Sequence, residues 1–255
     1  MSQKVTVISV NGKVVQSEAE VPHELPLKLI VNDVVLATLI CSPHDLRFLV
    51  AGFLLLQGYV KGVEDFEMLA VCEDFGVANV RIKGDLPARQ APVLTSGCGG
   101  GITFSVPGVE GRAVRNNRCS AQVIYAACEE QSKIAGRYRR HGGIHSAAIA
   151  DDSGILVHAE DIGRHNTVDR LAGEALLKGL TLDGTLMVTS GRISSEMAAK
   201  AAQMGVTAIA SRTSPTDMAV RICEEAGIAL IGYVRGGKFS VYAHPEKILL
   251  PESSE

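Results

Sequence analysis

The second half of the chain alternates short apolar strands with helices, and this alternation constrains the fold more than any other feature. Three strand candidates, TLMVTS, TAIAS and IALIGYV, are separated by two helical segments at residues 193–204 and 215–226. Strands that alternate with helices of this length are typical of a parallel sheet covered by helices. The sequence therefore predicts an α/β domain in this region.

The remaining elements of this half extend the same prediction. They are helices at 119–134 and 166–178 and strands at GIHSAAIA, GILVHAE and FSVYAH. We expect residues 116–255 to form one α/β domain with a mixed, mainly parallel sheet covered by helices.

The first half of the chain is rich in strand candidates instead. They are KVTVISV, LPLKLIV, VVLATLI, FEMLAV and VANVRI. One helix is predicted among them, with Ser42 as N-cap, Pro43 in its first turn and Gly58 as its stop. The polar, aperiodic segment at 107–117 separates the halves, so residues 1–115 are expected to form a smaller β-rich α+β domain.

Charge and hydropathy narrow the class of function. A formal net charge of -3 and a pI near 6.2 give no overall attraction to nucleic acid or to an anionic membrane, so neither is expected as a partner. An anionic ligand must then be met by a local patch. The sequence contains neither the ~18 apolar residues of a membrane span nor a secretory signal pattern, and a cytoplasmic location is expected.

Six cysteines are present, and one differs from the rest in its surroundings. They are Cys41, Cys72, Cys98, Cys119, Cys128 and Cys223. No C-x-x-C pair or paired Cys/His spacing of a structural zinc site occurs, and Cys119 and Cys128 are predicted on opposite faces of one helix. Cys98 lies within TSGCGGGI, which predicts an accessible loop, although a Gly-rich turn with an incidental cysteine is the alternative. The other five are expected to be buried and reduced.

Three of the predicted parallel strands end in turns that carry an arginine: Arg192 in TSGR, Arg212 in SRTSP and Arg235 in RGGK. The carboxyl ends of parallel strands share one edge of a sheet, where the next helices begin with free N–H groups. The three turns therefore predict a site for an anionic, phosphate-bearing ligand. As an alternative for the second turn, residues 214–217 also form a helix N-cap signal.

A dense polar segment, DIGRHNTVD at residues 161–169, follows another predicted strand. It holds Arg164, His165 and Asn166, and this density of hydrogen-bonding groups at a strand end indicates a binding or catalytic loop. The alternative is a helix start in which Asn166 caps and Asp169 satisfies the first turn.

Two features upstream are weighed together with that segment. His145 lies in a predicted strand, where a lone histidine is usually a core residue. It is a candidate site residue only when considered together with these neighbours. The basic run at residues 137–141 is either a solvated helix end or part of the same anion-binding surface.

One motif points toward a metal but is incomplete. His158-Ala159-Glu160 matches the H-x-E half of a zinc deaminase signature, yet no P-C-x-x-C follows it. The Gly-rich loop likewise matches neither G-x-G-x-x-G nor a P-loop. No zinc site is expected.

Four segments, in this order and spacing, resemble the formate dehydrogenase accessory sulfurtransferase family, FdhD: GGIHSA, EDIGRHNTVD, TSGRISSEM and GYVRGGKFSVY. The resemblance implies a cytidine-deaminase-like α/β fold without the zinc. It also implies a protein that takes sulfur from a cysteine desulfurase as a persulfide. That sulfur then passes to the bis-molybdopterin guanine dinucleotide cofactor destined for formate dehydrogenase.

The resemblance also implies roles for individual residues. Cys98 matches the first cysteine of the family's mobile C-G-x-C-G loop, and Gly101 stands where the family has its second. The cofactor contact falls on Phe239, Ser240, Val241, Tyr242, Ala243 and His244. The arginine-bearing edge would suit the cofactor's phosphates, and a guanine nucleotide is expected to be a partial mimic of the cofactor.

We therefore expect a sulfur carrier with Cys98 as the persulfide nucleophile. The expected cofactor site adds Arg192, Arg212, Arg235, His145, Arg164 and His165 to the strand at 239–244. One alternative is a non-catalytic chaperone that binds the dinucleotide and docks on the formate dehydrogenase apoenzyme, and another is a nucleotide-binding regulatory protein. The sequence leaves open which dehydrogenase is served and whether the chain forms a homodimer.

Overall fold

The computed structural model describes residues 2–86 and 117–251, together with two short strands at 93–94 and 102–103. Cys98, Gly101 and nearly all of the predicted boundary segment lie outside the described residues. The elements of the first half are strands β1 (Ser2–Ile8), β2 (Val14–Glu20), β3 (Leu25–Val31) and β4 (Val34–Cys41), helix α1 (Leu46–Leu56), and strands β5 (Phe66–Cys72), β6 (Val77–Ile82), β7 (Val93–Leu94) and β8 (Ile102–Thr103).

Each helix and strand predicted for the second half is present, with three short elements added. The order is β9 (Cys119–Ser120), α2 (Ala121–Ile134), α3 (Gly136–His141), β10 (His145–Asp151), β11 (Gly154–Asp161), α4 (Arg164–Lys178), β12 (Leu186–Thr189), α5 (Ser195–Met204), β13 (Ala208–Ser211), α6 (Asp217–Ala226), β14 (Ala229–Arg235), β15 (Lys238–Ala243) and β16 (Ile248–Leu249). The additions are β9, α3 and β16.

A six-stranded mixed sheet in the order β11-β10-β12-β13-β14-β15 organises this half. Parallel pairing joins only β12, β13 and β14, whereas the pairs β10–β11, β10–β12 and β14–β15 are antiparallel. Four strands, β11 to β14 without β10, therefore run in the same direction. The mixed α/β sheet is confirmed, and the implied likeness to cytidine deaminases stays a prediction.

The sheet lies between two layers of helices, as its apolar side chains require. On one face Ile124 and Cys128 of α2 pack against Ala148, Val188 and Ile231. On the other face α4, α5 and α6 cover a larger core that contains Leu171, Met197 and Cys223, together with side chains from the alternate sheet positions. Strand residues that alternate between the two cores explain why the strands are apolar throughout.

The first half builds a second, smaller sheet in the order β4-β3-β6-β5, against which α1 packs. Leu27, Leu29 and Val31 of β3 are fully buried beneath Leu49 and other α1 residues. Leu55 of α1 packs against both this core and the core of α4. The division into domains of residues 1–115 and 116–255 stays a prediction.

Helices α1 and α4 touch each other backbone to backbone. A Cβ atom added at Gly52 would lie 1.7 Å from the carbonyl oxygen of Asp169, and one added at Gly173 would lie 1.9 Å from that of Phe48. Only glycine fits at either crossing position, because a distance this short is a hard clash. The two helices therefore pack as closely as their backbones allow.

Helix α1 begins later than predicted, and its N-cap is Asp45 rather than Ser42. Arg170 of α4 donates hydrogen bonds to the carbonyl oxygens of Ser42 and His44, which holds these residues outside the helix. The Ser42 hydroxyl instead accepts from the backbone N–H of Ile162 at 3.2 Å. The predicted cap was wrong because a partner distant in sequence competes for it.

The prediction for Cys119 was also wrong. Cys119 lies in β9, which pairs with β16, and helix α2 starts after the Ser120 N-cap. Cys119 and Cys128 face the same apolar core rather than opposite sides of one helix. Among the helices that the structure describes, none is both long and apolar enough to cross a membrane.

Candidate functional site

The three arginine turns do meet at one edge of the large sheet. Strands β12, β13 and β14 run parallel, so their carboxyl ends and the turns that follow lie side by side. Arg192, Arg212 and Arg235 are all exposed there. Arg212 Nη1 donates to Ser132 Oγ at 2.5 Å, and the Arg235 guanidinium lies 5.4 Å from the centre of the Tyr233 ring.

The polar segment at 161–169 and His145 come to the same edge. Strand β10 runs antiparallel to β11 and β12, so it begins where those strands end, and His145 pairs with Asp161. A Cβ atom added at Gly191 would lie 3.2 Å from Arg164 Cβ and 3.3 Å from His145 Nδ1. Five of the predicted site residues therefore lie in one region. We call this region, formed by His145, Arg164, Arg192, Arg212 and Arg235, the cationic edge.

Asp161 holds this region in place rather than facing a ligand. Its Oδ2 accepts from Arg170 Nη2 at 2.6 Å and from the Ser42 backbone N–H at 3.1 Å, and its Oδ1 accepts from Gly163 N and Asn166 Nδ2 at 2.8 Å each. Asp161 is fully buried. These bonds fix the loop from which the first turn of α4 projects.

Asn166 and Asp169 do not act as the helix-start alternative requires. The N-cap of α4 is Gly163, and Asn166 lies within the helix, where its amide donates to the Ile40 carbonyl oxygen at 2.8 Å. Asp169 points instead into a buried ionic cluster. That alternative is therefore wrong for both side chains.

Four buried titratable residues form this cluster behind the cationic edge. Lys200 Nζ lies 2.8 Å from Asp169 Oδ1 and 3.3 Å from Glu196 Oε1, and Glu196 Oε2 lies 3.2 Å from His165 Nδ1. Burial lowers the pKa of His165 to about 4, although the Glu196 carboxylate opposes this. His165 is therefore neutral at pH 7 and is positioned by Glu196.

Within this cluster the pKa values of Asp169 and Lys200 are both raised, but for different reasons. Burial raises the pKa of Asp169 to about 6, and the ammonium of Lys200 offsets only part of this effect. Burial alone would lower the pKa of Lys200, but Asp169 and Glu196 outweigh it and raise that pKa. Lys200 thus stays charged between two carboxylates.

His145 is also neutral, because burial and the neighbouring Arg164 guanidinium lower its pKa. The cationic edge therefore takes its charge from arginines alone. Arginines suit phosphate groups, since the guanidinium presents two parallel N–H donors.

Helix α5 begins at the cationic edge with an N-cap that lacks its usual bond. Ser194 is the N-cap, but its side chain accepts no hydrogen bond from the helix. Its Oγ is buried and has no hydrogen-bond partner within the described part of the chain. A hydroxyl beside the open N–H groups of a first helical turn can donate to an oxyanion.

The strand implied to contact the cofactor begins at the cationic edge and runs along the side of the sheet to its opposite end. Strand β15 starts beside Arg235, where Lys238 pairs with it, and ends where Ala243 pairs with Leu230. Phe239 and Val241 pack on the core beneath α2, whereas Ser240 and Tyr242 are exposed and Ala243 is buried.

His244, at the far end of this strand, is held by hydrogen bonds on both ring nitrogens. Its Nδ1 lies 2.7 Å from Glu246 Oε1, and its Nε2 lies 3.0 Å from the Glu224 carbonyl oxygen. Because β15 runs away from the cationic edge, the structure brings residues 239 and 240 to that edge but not residue 244. The whole segment remains a prediction as a cofactor contact.

The residues of the incomplete zinc motif have other partners. His158 Nε2 lies 2.8 Å from Ser146 Oγ, and the Glu160 carboxylate accepts from the backbone N–H groups of Arg137 and Tyr138. Within residues 2–86 and 117–251, His, Cys, Asp and Glu side chains form no group of three or more that could hold a metal ion.

The cysteines divide differently from the prediction, because Cys72, at the end of edge strand β5, is exposed. Cys41, Cys119, Cys128 and Cys223 are buried as expected. Burial raises the pKa of Cys41, Cys128 and Cys223 to about 12 and that of Cys119 to about 11. These four remain protonated at neutral pH and are poor nucleophiles.

Two features of the site had no role in the sequence interpretation. One is the support of His165 by Glu196 and Lys200, although SSEM and the following lysine could have indicated charged side chains one helical turn apart. The other is the left-handed backbone of Tyr233, which no sequence pattern predicts.

Comparison with known proteins agrees with the architecture and the motifs. A family model described as the FdhD/NarQ family matches residues 22–249. A Bacillus subtilis (strain 168) protein named sulfur carrier protein FdhD is 34% identical over 260 residues, which cover 97% of this chain and 99% of that protein. One of the same name from Staphylococcus aureus (strain MRSA252) is 32% identical over 246 residues, covering 94% and 93%.

A solved structure is similar over nearly the whole fold. It is a Desulfotalea psychrophila protein described as a formate dehydrogenase accessory protein, with a TM-score of 0.82 and 27% sequence identity over 98% of this chain and 99% of that one. The resemblance inferred from the four motifs is thereby confirmed, and the chain belongs to the FdhD/NarQ family.

Proposed function

We propose that this protein is a sulfur carrier for formate dehydrogenase. Cys98 accepts sulfur as a persulfide from a cysteine desulfurase and delivers it to the bis-molybdopterin guanine dinucleotide cofactor before the cofactor enters the apoenzyme. The proposal draws on the names of the relatives, and on Cys98 in its Gly-rich sequence.

The observation that carries the proposal is the cationic edge. Three exposed arginine turns lie beside the N-terminus of α5, where the Ser194 hydroxyl has no partner among the described residues. This arrangement suits a ligand with several phosphate groups, such as a dinucleotide. A guanine nucleotide such as GDP should therefore act as a partial mimic of the cofactor.

Sulfur acceptance at Cys98 is a thiol exchange. The Cys98 thiolate bonds to the outer sulfur of the desulfurase persulfide, and the desulfurase cysteine leaves as a thiolate, so no net oxidation occurs. Release of that sulfur as sulfide requires two electrons, which a thiol reductant would supply. The four buried cysteines are poor rivals in this exchange because their pKa values lie at about 11 or 12.

A second candidate is a non-catalytic chaperone that binds the dinucleotide cofactor and docks on formate dehydrogenase without carrying sulfur. Gly101 favours it, because the position that holds the second cysteine of the family's loop has no thiol here. The same cationic edge would serve both functions. Only the fate of the sulfur separates them.

Intact mass spectrometry after incubation with a cysteine desulfurase and cysteine tests the choice. Because Cys72 is exposed, the measurement is made on Cys72→Ser, with Cys72→Ser/Cys98→Ser as the test and Cys72→Ser/Cys128→Ser as the control. We expect one added sulfur on the parent and the control but none on the test variant. An adduct that persists without Cys98 contradicts the carrier assignment, and no adduct on any variant favours the chaperone.

A further inference from the structure

Tyr233 has a backbone conformation that a tyrosine rarely adopts. Its φ is +55°, in the left-handed region that disfavours bulky side chains. The residue sits in a β-bulge, because the pairing of β14 with β15 shifts between Gly232 and Arg235. Two residues of β14, Tyr233 and Val234, thus oppose the single residue Phe239.

The bulge sends neighbouring side chains in different directions. Val234 is buried in the core beneath α2, whereas the Tyr233 side chain remains 39% exposed. The Tyr233 backbone N–H donates to the carbonyl oxygen of Thr213 at 3.0 Å, which ties the bulge to the Arg212 turn. Bulges and strained residues recur next to functional sites, where they re-aim a side chain.

The exposed ring is paired with a cationic side chain of the site. The Arg235 guanidinium lies 5.4 Å from the centre of the Tyr233 ring, within the range of a cation–π contact. Tyr242, also exposed, passes close by, since a Cβ atom added at Gly232 would lie 2.9 Å from Tyr242 Cε2. An aromatic surface therefore adjoins the arginine turns.

We propose that Tyr233 is a stacking platform for the purine base of a nucleoside diphosphate group whose phosphates bind the cationic edge. The inference rests on the proposed function and adds to it the residue that contacts the base. Nucleobases stack on tyrosine rings, and a guanidinium in contact with the ring fixes its orientation. The strained backbone is then explained, because it places the ring beside the phosphate-binding turns.

Calorimetry with GDP and inorganic pyrophosphate separates base stacking from phosphate binding. Base stacking on an aromatic side chain corresponds to about a ten-fold gain in affinity or more, so the wild type should bind GDP at least about ten-fold more tightly than pyrophosphate. Tyr233→Asn removes the ring but tolerates the left-handed backbone, so it should fold. It should lose about ten-fold in GDP affinity and keep its pyrophosphate affinity.

Two further variants frame the result. Tyr233→Phe retains the ring, so it should bind GDP better than Tyr233→Asn. Phe75→Asn alters an exposed aromatic residue between β5 and β6 of the small sheet, with 82% exposure, and should not change either affinity. Thermal unfolding of each variant checks that it is folded.

The other possible outcomes contradict the inference, and each shows which step of it is wrong. If Tyr233→Asn binds GDP as tightly as the wild type, or loses GDP and pyrophosphate affinity equally, Tyr233 does not read the base. If the wild type binds both ligands equally well, the base is not read, but the phosphate site of the proposed function stands. If neither ligand binds, the dinucleotide part of the proposed function is wrong as well, while sulfur loading of Cys98 is judged separately by mass.

Discussion

Arg170 of α4 and Asp161 at the end of β11 form a buried ion pair in which two guanidinium nitrogens bond to one carboxylate oxygen. Arg170 Nη2 and Nε lie 2.6 and 2.9 Å from Asp161 Oδ2, and both side chains are almost completely buried. The same guanidinium holds the Ser42 and His44 carbonyl oxygens. One arginine thus joins the end of a sheet strand to the segment that precedes α1.

Loss of one partner of this pair should destabilise the fold severely. Asp161→Ala leaves the Arg170 charge buried without its counter-ion, so the free energy of unfolding should fall by about 3–5 kcal/mol in urea denaturation. Arg140→Ala is the control, because Arg140 forms an exposed ion pair with Glu20 at 3.5 Å that should contribute less than about 1 kcal/mol. Equal effects of the two substitutions would refute the structural role assigned to Asp161.

The cationic edge should bind phosphate groups through its arginines. Arg192→Ala removes an exposed guanidinium, and loss of one charge-assisted bond of about 1.5 kcal/mol weakens binding about ten-fold. Arg235→Ala should weaken it at least as much, because it also releases Tyr233. Calorimetry should detect this loss with both GDP and pyrophosphate. Arg81→Ala, which removes the same charge from the small sheet, should leave both affinities unchanged, and a uniform loss would point to net charge alone.

The neutral state of His165 should make stability sensitive to acid. Its pKa is about 4 in the folded chain against an ordinary 6.5, so below pH 6.5 the unfolded chain takes up a proton that the folded chain does not. This contribution is complete above pH 6.5 and is lost between pH 6.5 and 4, by about 1–2 kcal/mol at pH 5.

Comparison with a His165→Gln variant isolates this contribution. The raised pKa of Asp169 acts in the opposite direction, because protonation near pH 6 favours the folded chain, and this effect is common to both proteins. The difference in unfolding free energy between wild type and variant should therefore shrink from pH 7 to pH 5. A constant difference would mean that the pKa of His165 is the same in the folded and unfolded chains.

The absent second loop cysteine should affect how long sulfur stays bound. In Gly101→Cys a second thiol lies three residues from Cys98 and can attack the persulfide, forming a disulfide and releasing sulfide. We expect the wild type to hold its persulfide longer than Gly101→Cys, as followed by mass over time. We also expect the wild type to activate formate dehydrogenase in cells that lack their own carrier. If only Gly101→Cys restores activity, this chain has kept the binding site and lost the transfer chemistry.

Local periodicity was enough to place the large sheet and the arginine turns. The strands around Val188, Ile209 and Leu230 are short apolar runs between helices, and parallel strands must end at one edge whatever their partners are. The convergence of Arg192, Arg212 and Arg235 follows from that rule alone. Predicting it required no knowledge of contacts between residues that are distant in sequence.

Features that depend on distant partners were missed. Ser42 looked like a helix cap, but its backbone bonds to Asp161, 119 residues away. Cys72 looked like a buried strand residue, yet its strand lies at the edge of its sheet and leaves the thiol exposed. Tyr233 adopts a left-handed backbone that local preference opposes, and its backbone N–H donates to the Thr213 carbonyl oxygen. In each case tertiary contacts outweigh the local signal.

The close crossing at Gly52 and Gly173 makes the two halves of the chain hard to exchange. The helix that carries Arg164 and His165 is the one whose middle rests on the α1 backbone. A fragment starting after residue 116 would therefore lack α1, against which α4 packs, and the apolar surface of α4 would be exposed to water. Shortening this protein to its large sheet, or grafting a different N-terminal half onto it, should fail unless the new partner also brings a glycine to that point.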